Sequence, residues 1–264
     1  PTPVSVIMTG ELPLDDETME YIYELYHKNL PPQVTEATLA TATDGAAHSD
    51  PQASKSYRRA ATVPLAAVEE TAFISQLEQR ASYSDPADRR PITDTELATL
   101  LTAAYGDISG DEEGHRRPVA SAGACYPLEL YPIVLDSPDI DPGLYHFNIE
   151  ADGLARLQQA DYTEWVRDNW SWVTEEDRVA AVIVITAIPS RSADRYGEMG
   201  YLFACIEAGS VIQQLQLVAM ELGIGSRPHN GLNYSSIREE LDLRSDEYLL
   251  STVVFAGRGP DADE

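Results

Sequence analysis

The stretch from Tyr201 to Leu222 is the longest helical pattern in the chain, and it is apolar on nearly every side. A helix without a polar face has to be enclosed by its neighbours, so it marks the centre of the domain that forms around it. Gly223 follows it as a stop, because glycine adopts the left-handed conformation of a helix C-terminus without steric cost. Val179 to Ile188 is so rich in Val and Ile that a buried strand is the simplest account. A chain of 264 residues with 43% hydrophobic content is long enough to bury both in one large domain.

Around this centre the pattern alternates. Residues 14 to 28 place Leu14, Met19, Ile22, Tyr23, Leu25 and Tyr26 near helical spacing and predict a short amphipathic helix. Pro31 to Ser56 is rich in Ala, Thr, Pro, Asp and Gln without periodicity and reads as a surface linker. The expected organisation is therefore an N-terminal extension over residues 1–55 and one domain over residues 56–264. Val68 to Gln79 reads as a helix, and Thr93-Asp94-Thr95-Glu96 opens another with a capping-box pattern ahead of Leu97, Leu100, Leu101 and Ala104. Leu130 to Leu135 has strand length, and residues 143–147 and 153–157 resemble a hairpin turning near Asp152-Gly153. Tyr162 to Val173 is expected as a helix carrying Trp165, Trp170 and Trp172 as packing, and Tyr248 to Ala256 as the last strand. Helices mixed with a few strands give an α+β class.

Charge narrows the function. Forty-four acidic residues against 18 basic ones give a formal charge of −26, which argues against nucleic-acid binding. The only lysines are Lys28 and Lys55, a composition that a salt-loving host or a GC-rich genome would each produce. No run of about 18 uninterrupted apolar residues occurs, and Pro1 to Gly10 lacks the features of a secretory signal, so a soluble, cytoplasmic protein without a membrane span is expected. Cys125 and Cys205 lack metal-binding spacing and read as two buried thiols, while the five histidines, His27, His48, His115, His146 and His229, are scattered. Walker loops, Rossmann glycine fingerprints, zinc-protease motifs and nucleophile elbows are all absent.

Small and cationic residues do stand at the ends of elements. Arg80 and Ser82 follow a predicted helix, Ser121, Ala122 and Gly123 precede a strand, Ile224 and Gly225 follow the central helix, and Arg258 follows the last strand. Small residues let backbone N–H groups approach an anionic or planar ligand, and arginines offer paired donors to a phosphate. Ordinary turns explain each of them equally well.

Two longer stretches carry a resemblance. Residues 117 to 131, RPVASAGACYPLELY, are similar to the RxxPSAGALYPLELY signature of the SagB-type branch of the nitroreductase superfamily. Residues 194 to 225, DRYGEMGYLFACIEAGSVIQQLQLVAMELGIG, resemble that branch's KYGxRGYRxxxxEAGHxxQNLxLxAxxLGLG block. The likeness continues more weakly through LEQRASYS at 77–84, where the superfamily has its RRSxR element, and through Tyr26-His27 and Lys55 to Leu65.

The resemblance implies a nitroreductase-like FMN-binding fold: a central antiparallel or mixed sheet flanked by helices, with a long buried central helix, dimeric, and FMN at the subunit interface. It assigns Arg80, Ser82 and Arg258 to the phosphate or ribityl side. It places Ser121, Ala122 and Gly123 at the flavin ring edge, Ile224 and Gly225 on another side, and Gln214 where the branch has Asn. The activity implied is oxidation of a thiazoline or oxazoline to an azole in a peptide or related natural product, with a cyclodehydratase as partner. A Lys-Tyr pair serves that reaction in the branch, and here it reads Arg195-Tyr196. Arginine stays protonated at any working pH, which makes Tyr196 the candidate base, with a loop ion pair and a packing tyrosine as the bland alternative. Ala120, Ala81, Ser84 and Ser210 also depart from the branch pattern. An NAD(P)H-dependent reductase of nitroaromatics or quinones, and a scaffold subunit of a peptide-modifying complex, remain as alternatives.

Overall fold

The structure, a computed structural model, describes residues 22–28, 59, 61–82, 90–110, 115–171, 173 and 179–257. The chain divides into two compact units, residues 1–30 and residues 31–264. In the first, helix α1 (Ile22–Lys28) forms the end of the helix expected over 14 to 28; the start of that helix and nearly all of the linker lie outside the described residues.

The second unit is built on six strands: β1 (Leu128–Val134), β2 (Gly143–Asn148), β3 (Gly153–Gln159), β4 (Ala181–Ala187), β5 (Ile224–His229) and β6 (Tyr248–Gly257). Their order is β3-β2-β1-β4-β6-β5, and every neighbouring pair is antiparallel. All seven residues of β4 are buried because it lies between β1 and β6 with side chains entering a core on each face. Ile183 and Ile185 join Leu128, Leu130, Val253 and Phe255 in one core, while Val182 and Val184 join Tyr131, Ile133, Val166 and Trp170 in the other. A strand covered on both faces shows no hydrophobic alternation, which is why its sequence reads as a continuous apolar run.

Helix α2 (Ala72–Gln79) begins four residues later than its pattern suggests, because the Thr71 side chain accepts from the Ile74 N–H and caps it there. Helix α3 (Asp94–Tyr105) has the expected capping box: Thr93 Oγ1 accepts from Glu96 N at 3.2 Å and Glu96 Oε2 accepts from Thr93 N at 2.9 Å. Helix α4 (Thr163–Asn169) is shorter than expected; Trp170 is fully buried beyond its end, and Trp172 lies outside the described residues. Helix α5 (Ser190–Tyr196) and helix α7 (Tyr234–Glu240) are short, polar helices with no apolar stripe in their sequences.

The central helix, α6, runs Met199–Glu221 and stops at Gly223 with φ 66°. By length and mean hydropathy, 1.4 over its best window, it could cross a membrane, but it packs on α3, α5, β5 and β6. Enclosure is incomplete. Met199, Leu202 and Ile206, at helical spacing, are 47, 48 and 59% exposed, so one apolar stripe of α6 faces outward. The cysteines are half-buried rather than fully buried, and burial pushes the Cys205 thiol up.

Candidate functional site

Between α3 and β1 the chain makes a turn whose backbone is held in an unfavourable form. Gly123, Ala124 and Tyr126 have φ of 59, 54 and 44°. For residues with a Cβ, the left-handed region costs about 1–2 kcal/mol each. Such strain persists only where surrounding contacts over-determine it, and it concentrates at functional sites. Here the contacts are explicit. Ser121 Oγ accepts from Tyr126 N at 2.9 Å, Arg195 Nη1 donates to Gly123 O at 3.2 Å, and Arg191 Nη1 donates to Tyr126 O at 3.3 Å. Two arginines one helical turn apart on α5 thus brace the turn. Among the described residues, the N–H groups of Ala122 and Gly123 have no acceptor.

Sequence-predicted residues meet at this turn. A Cβ on Gly123 would lie 2.5 Å from Arg195 Nη1 and 2.6 Å from the Tyr196 hydroxyl oxygen, so a side chain there would sit at positive φ and displace both groups. Tyr196 is half-buried and packs edge-on against Phe203 of α6 with ring centroids 5.2 Å apart. Arg195 and Tyr196 therefore belong to the end of a helix rather than to a loop, and Arg195 is spent on a backbone carbonyl.

Behind the turn lies a buried carboxylate. Glu207 of α6 is 3% exposed and accepts from the Tyr105 hydroxyl at 2.6 Å and from the Ser121 hydroxyl. The Arg117 guanidinium lies 4.1 Å over the Tyr105 ring and 4.7 Å over the Tyr126 ring, and its buried Nη1 has no hydrogen-bond partner among the described residues. Burial pushes the Glu207 carboxyl above its ordinary value, opposed by the Ser121 and Tyr105 hydrogen bonds and the attraction of Arg117. None of Glu207, Tyr105, Arg117 or Tyr126 stands out by composition. The available signal was that Glu207 is the one charged residue between Met199 and Met220 in an otherwise apolar helix.

Beside the turn, Glu129 of β1 pairs with His146 Nε2 at 2.8 Å and with Arg191. Burial pushes its carboxyl up, but His146 and Arg191 outweigh this and hold it below its ordinary value. Arg191 is thereby anchored while it reaches Tyr126.

Other expected site residues follow elements that meet the far end of α6. Gln76 of α2 donates to Glu221, which brings the helix preceding half-buried Arg80 and exposed Ser82 to the α6 C-terminus. Ile224 and Gly225 begin β5 rather than a turn, opposite Gly257 and Ala256. The Ile224 side chain is 4% exposed and sits in the core, leaving its backbone as the part able to meet a ligand. Arg258 follows Gly257 and lies outside the described residues. Half-buried Gln214 lies between the two groups, two turns beyond Glu207 on α6. Fourteen residues separate Glu207 from Glu221, about 21 Å of helix.

A cavity of about 860 Å³ lies elsewhere, between α3 and the β2–β3 hairpin, lined by Leu97, Leu101, Ile140 and Phe147. None of the expected site residues lines it, and its floor is core.

The profile of the nitroreductase family matches residues 77–258. The chain is 31% identical over 195 residues to a nitroreductase-family protein of Methanocaldococcus jannaschii, covering 72% of this chain and 94% of that relative. It is 24% identical over 161 residues to the microcin B17-processing protein McbC of Escherichia coli, covering 59% of this chain but 58% of McbC. Among solved structures, the E. coli microcin synthetase McbBCD complex with truncated pro-MccB17 bound is similar, with a TM-score of 0.59 and 19% identity over 91% of this chain and 88% of that one. A nitroreductase-like structure from Anabaena variabilis has a TM-score of 0.58 and 20% identity, over 71% of this chain and 38% of that one. At these identities the structural likeness shows the fold.

Proposed function

The chain belongs to the nitroreductase family of oxidoreductases, and from that premise we propose that it binds FMN and oxidises a thiazoline or oxazoline ring in a peptide or related natural product to the azole. The observation that carries the reading is the meeting of Gly123, Arg195 and Tyr196 at a strained turn with two free backbone donors. Backbone N–H donors without a protein acceptor suit the edge of a planar, hydrogen-bonding ring. Arg80, Ser82 and Arg258 would hold the phosphate, with the backbones of Ile224 and Gly225 and the Gln214 side chain between phosphate and ring. When bound, FMN supplies the two-electron step.

The protein's own part is positioning and proton transfer. Tyr196, in its phenolate form, would take the ring proton while the hydride passes to the bound flavin, and Arg195 keeps the turn in place. The catalytic unit is residues 56–264, with residues 1–55 as an extension.

The ring-edge turn is braced by α5, whereas the helix preceding Arg80 meets the end of α6 at Glu221, which supports a site completed by a second copy. The exposed Met199, Leu202 and Ile206 stripe, beside the ring-edge group, is the face for that homodimer. McbC occurs in a synthetase complex with a peptide bound, which supports a peptide substrate and a cyclodehydratase-type partner for this chain.

The higher identity to the archaeal relative favours a second reading, NAD(P)H-dependent reduction of nitro compounds or quinones. Anaerobic stopped-flow mixing separates the two. Bleaching of flavin absorbance by an azoline-containing peptide, with azole formed, supports the first. Bleaching by NAD(P)H alone, with none by the peptide, overturns it in favour of the second.

A further inference from the structure

We infer that Glu207 is a positioning residue that sets the 121–126 turn against the flavin ring through the Ser121 hydroxyl. The inference rests on the FMN reading. The Ser121 and Tyr105 hydroxyls both donate to the Glu207 carboxyl oxygens. Ser121 Oγ and Tyr105 Oη are then left as acceptors, and each takes a backbone N–H: Tyr126 N at 2.9 Å and Leu128 N at 3.2 Å. One buried side chain on α6 thereby fixes two amides at the exit of the turn. That holds Tyr126 at φ 44° in the turn that carries Ala122 and Gly123. Arg117, stacked over Tyr105 and Tyr126, balances the charge and closes the cluster from outside.

Glutamine at 207 has one acceptor oxygen and a donor amide, so it can receive one hydroxyl proton but not both without turning the other hydroxyl. The test is a double-mutant cycle on Glu207→Gln and Ser121→Ala, read by the midpoint potential of the protein-bound flavin. Each single variant should retain FMN and shift the reduction equilibrium by about tenfold, which is about 30 mV for two electrons. The double variant should shift it no further than the larger single one, because both act through the same hydroxyl. Ser121→Thr, which keeps the hydroxyl, should restore the wild-type potential. If Glu207→Gln does not fold, Glu207→Asp replaces it in the cycle, since the shorter carboxylate cannot reach both hydroxyls from the same backbone position. Additive shifts, or unchanged potentials with FMN bound, overturn the role of Glu207. Wild-type protein that binds no FMN overturns the cofactor reading itself, and this inference with it.

Discussion

Nη1 of Arg195 donates to the carbonyl oxygen of Gly123 at 3.2 Å, joining positions 72 residues apart in sequence. The bond ties the end of α5 to a turn that would otherwise relax, since Ala124 and Tyr126 in the same turn are held at positive φ. It also gives Arg195 a definite task. An arginine that is always charged cannot remove a proton, but it can hold a carbonyl in place and set the tyrosine beside it against Gly123.

Gly123→Ala tests this contact. The substitution puts a Cβ at positive φ and into Arg195 Nη1 and the Tyr196 hydroxyl. Stability should fall by about 1–2 kcal/mol from the backbone term alone, measured by urea denaturation. FMN affinity should fall with it. Unchanged stability would mean that the turn is not held as described.

Tyr196→Phe removes the proposed base while keeping the ring packed on Phe203. FMN binding should be spared and turnover should slow by about 100-fold or more. Steady-state rates on an azoline substrate check this, and unimpaired turnover would return Tyr196 to a packing role.

Arg258→Ala should weaken FMN binding by roughly 1.5–3 kcal/mol if the side chain makes a charged hydrogen bond to the phosphate. Isothermal titration with FMN gives the number directly. Equal affinity in the two proteins would remove Arg258 from the site.

The start of α3 gives a pH-dependent signature away from the site. The hydrogen bond from Arg90, opposed by partial burial and helped by Thr93, holds the Glu96 carboxyl below its ordinary value. A depressed folded-state value means that the stabilisation is fully present above the unfolded value, about 4.3, and is lost as pH falls through the folded one. Glu96→Gln should therefore cost stability by an amount that is constant near neutrality and shrinks below about pH 4. Denaturation curves over a pH series check the sign, and a gap that widens on acidification would contradict it.

What the sequence revealed follows from how each signal arises. Thr93 and Glu96 make their capping box from side chains three residues apart, so local pattern sufficed. Residues 181–187 are buried on both faces, and an unbroken apolar run records that. Helix α5, SRSADRY, has no apolar stripe because just two of its residues, Ser192 and Ala193, are buried. Strand β5 carries Gly225 and Pro228 on a sheet edge, where proline is tolerated but strand propensity is weak. Positive φ at Ala124 and Tyr126 leaves no trace in residue type, since partners distant in sequence impose it. The grouping of Gly123 with Arg195 and Tyr196 followed from family resemblance, whereas the Glu207 cluster behind them required coordinates.

The proposed site requires that the strained 121–126 turn and the residues expected to hold the phosphate, Arg80, Ser82 and Arg258, serve one flavin. Equilibrium titration of the purified protein with FMN in molar salt tests this, since the Debye length falls there to about 3 Å and self-repulsion from the −26 charge is screened. Saturable binding at one FMN per chain is expected, with a perturbed visible flavin spectrum and weaker binding in Arg258→Ala and Gly123→Ala. A folded protein that leaves the FMN spectrum unchanged at every concentration would contradict it.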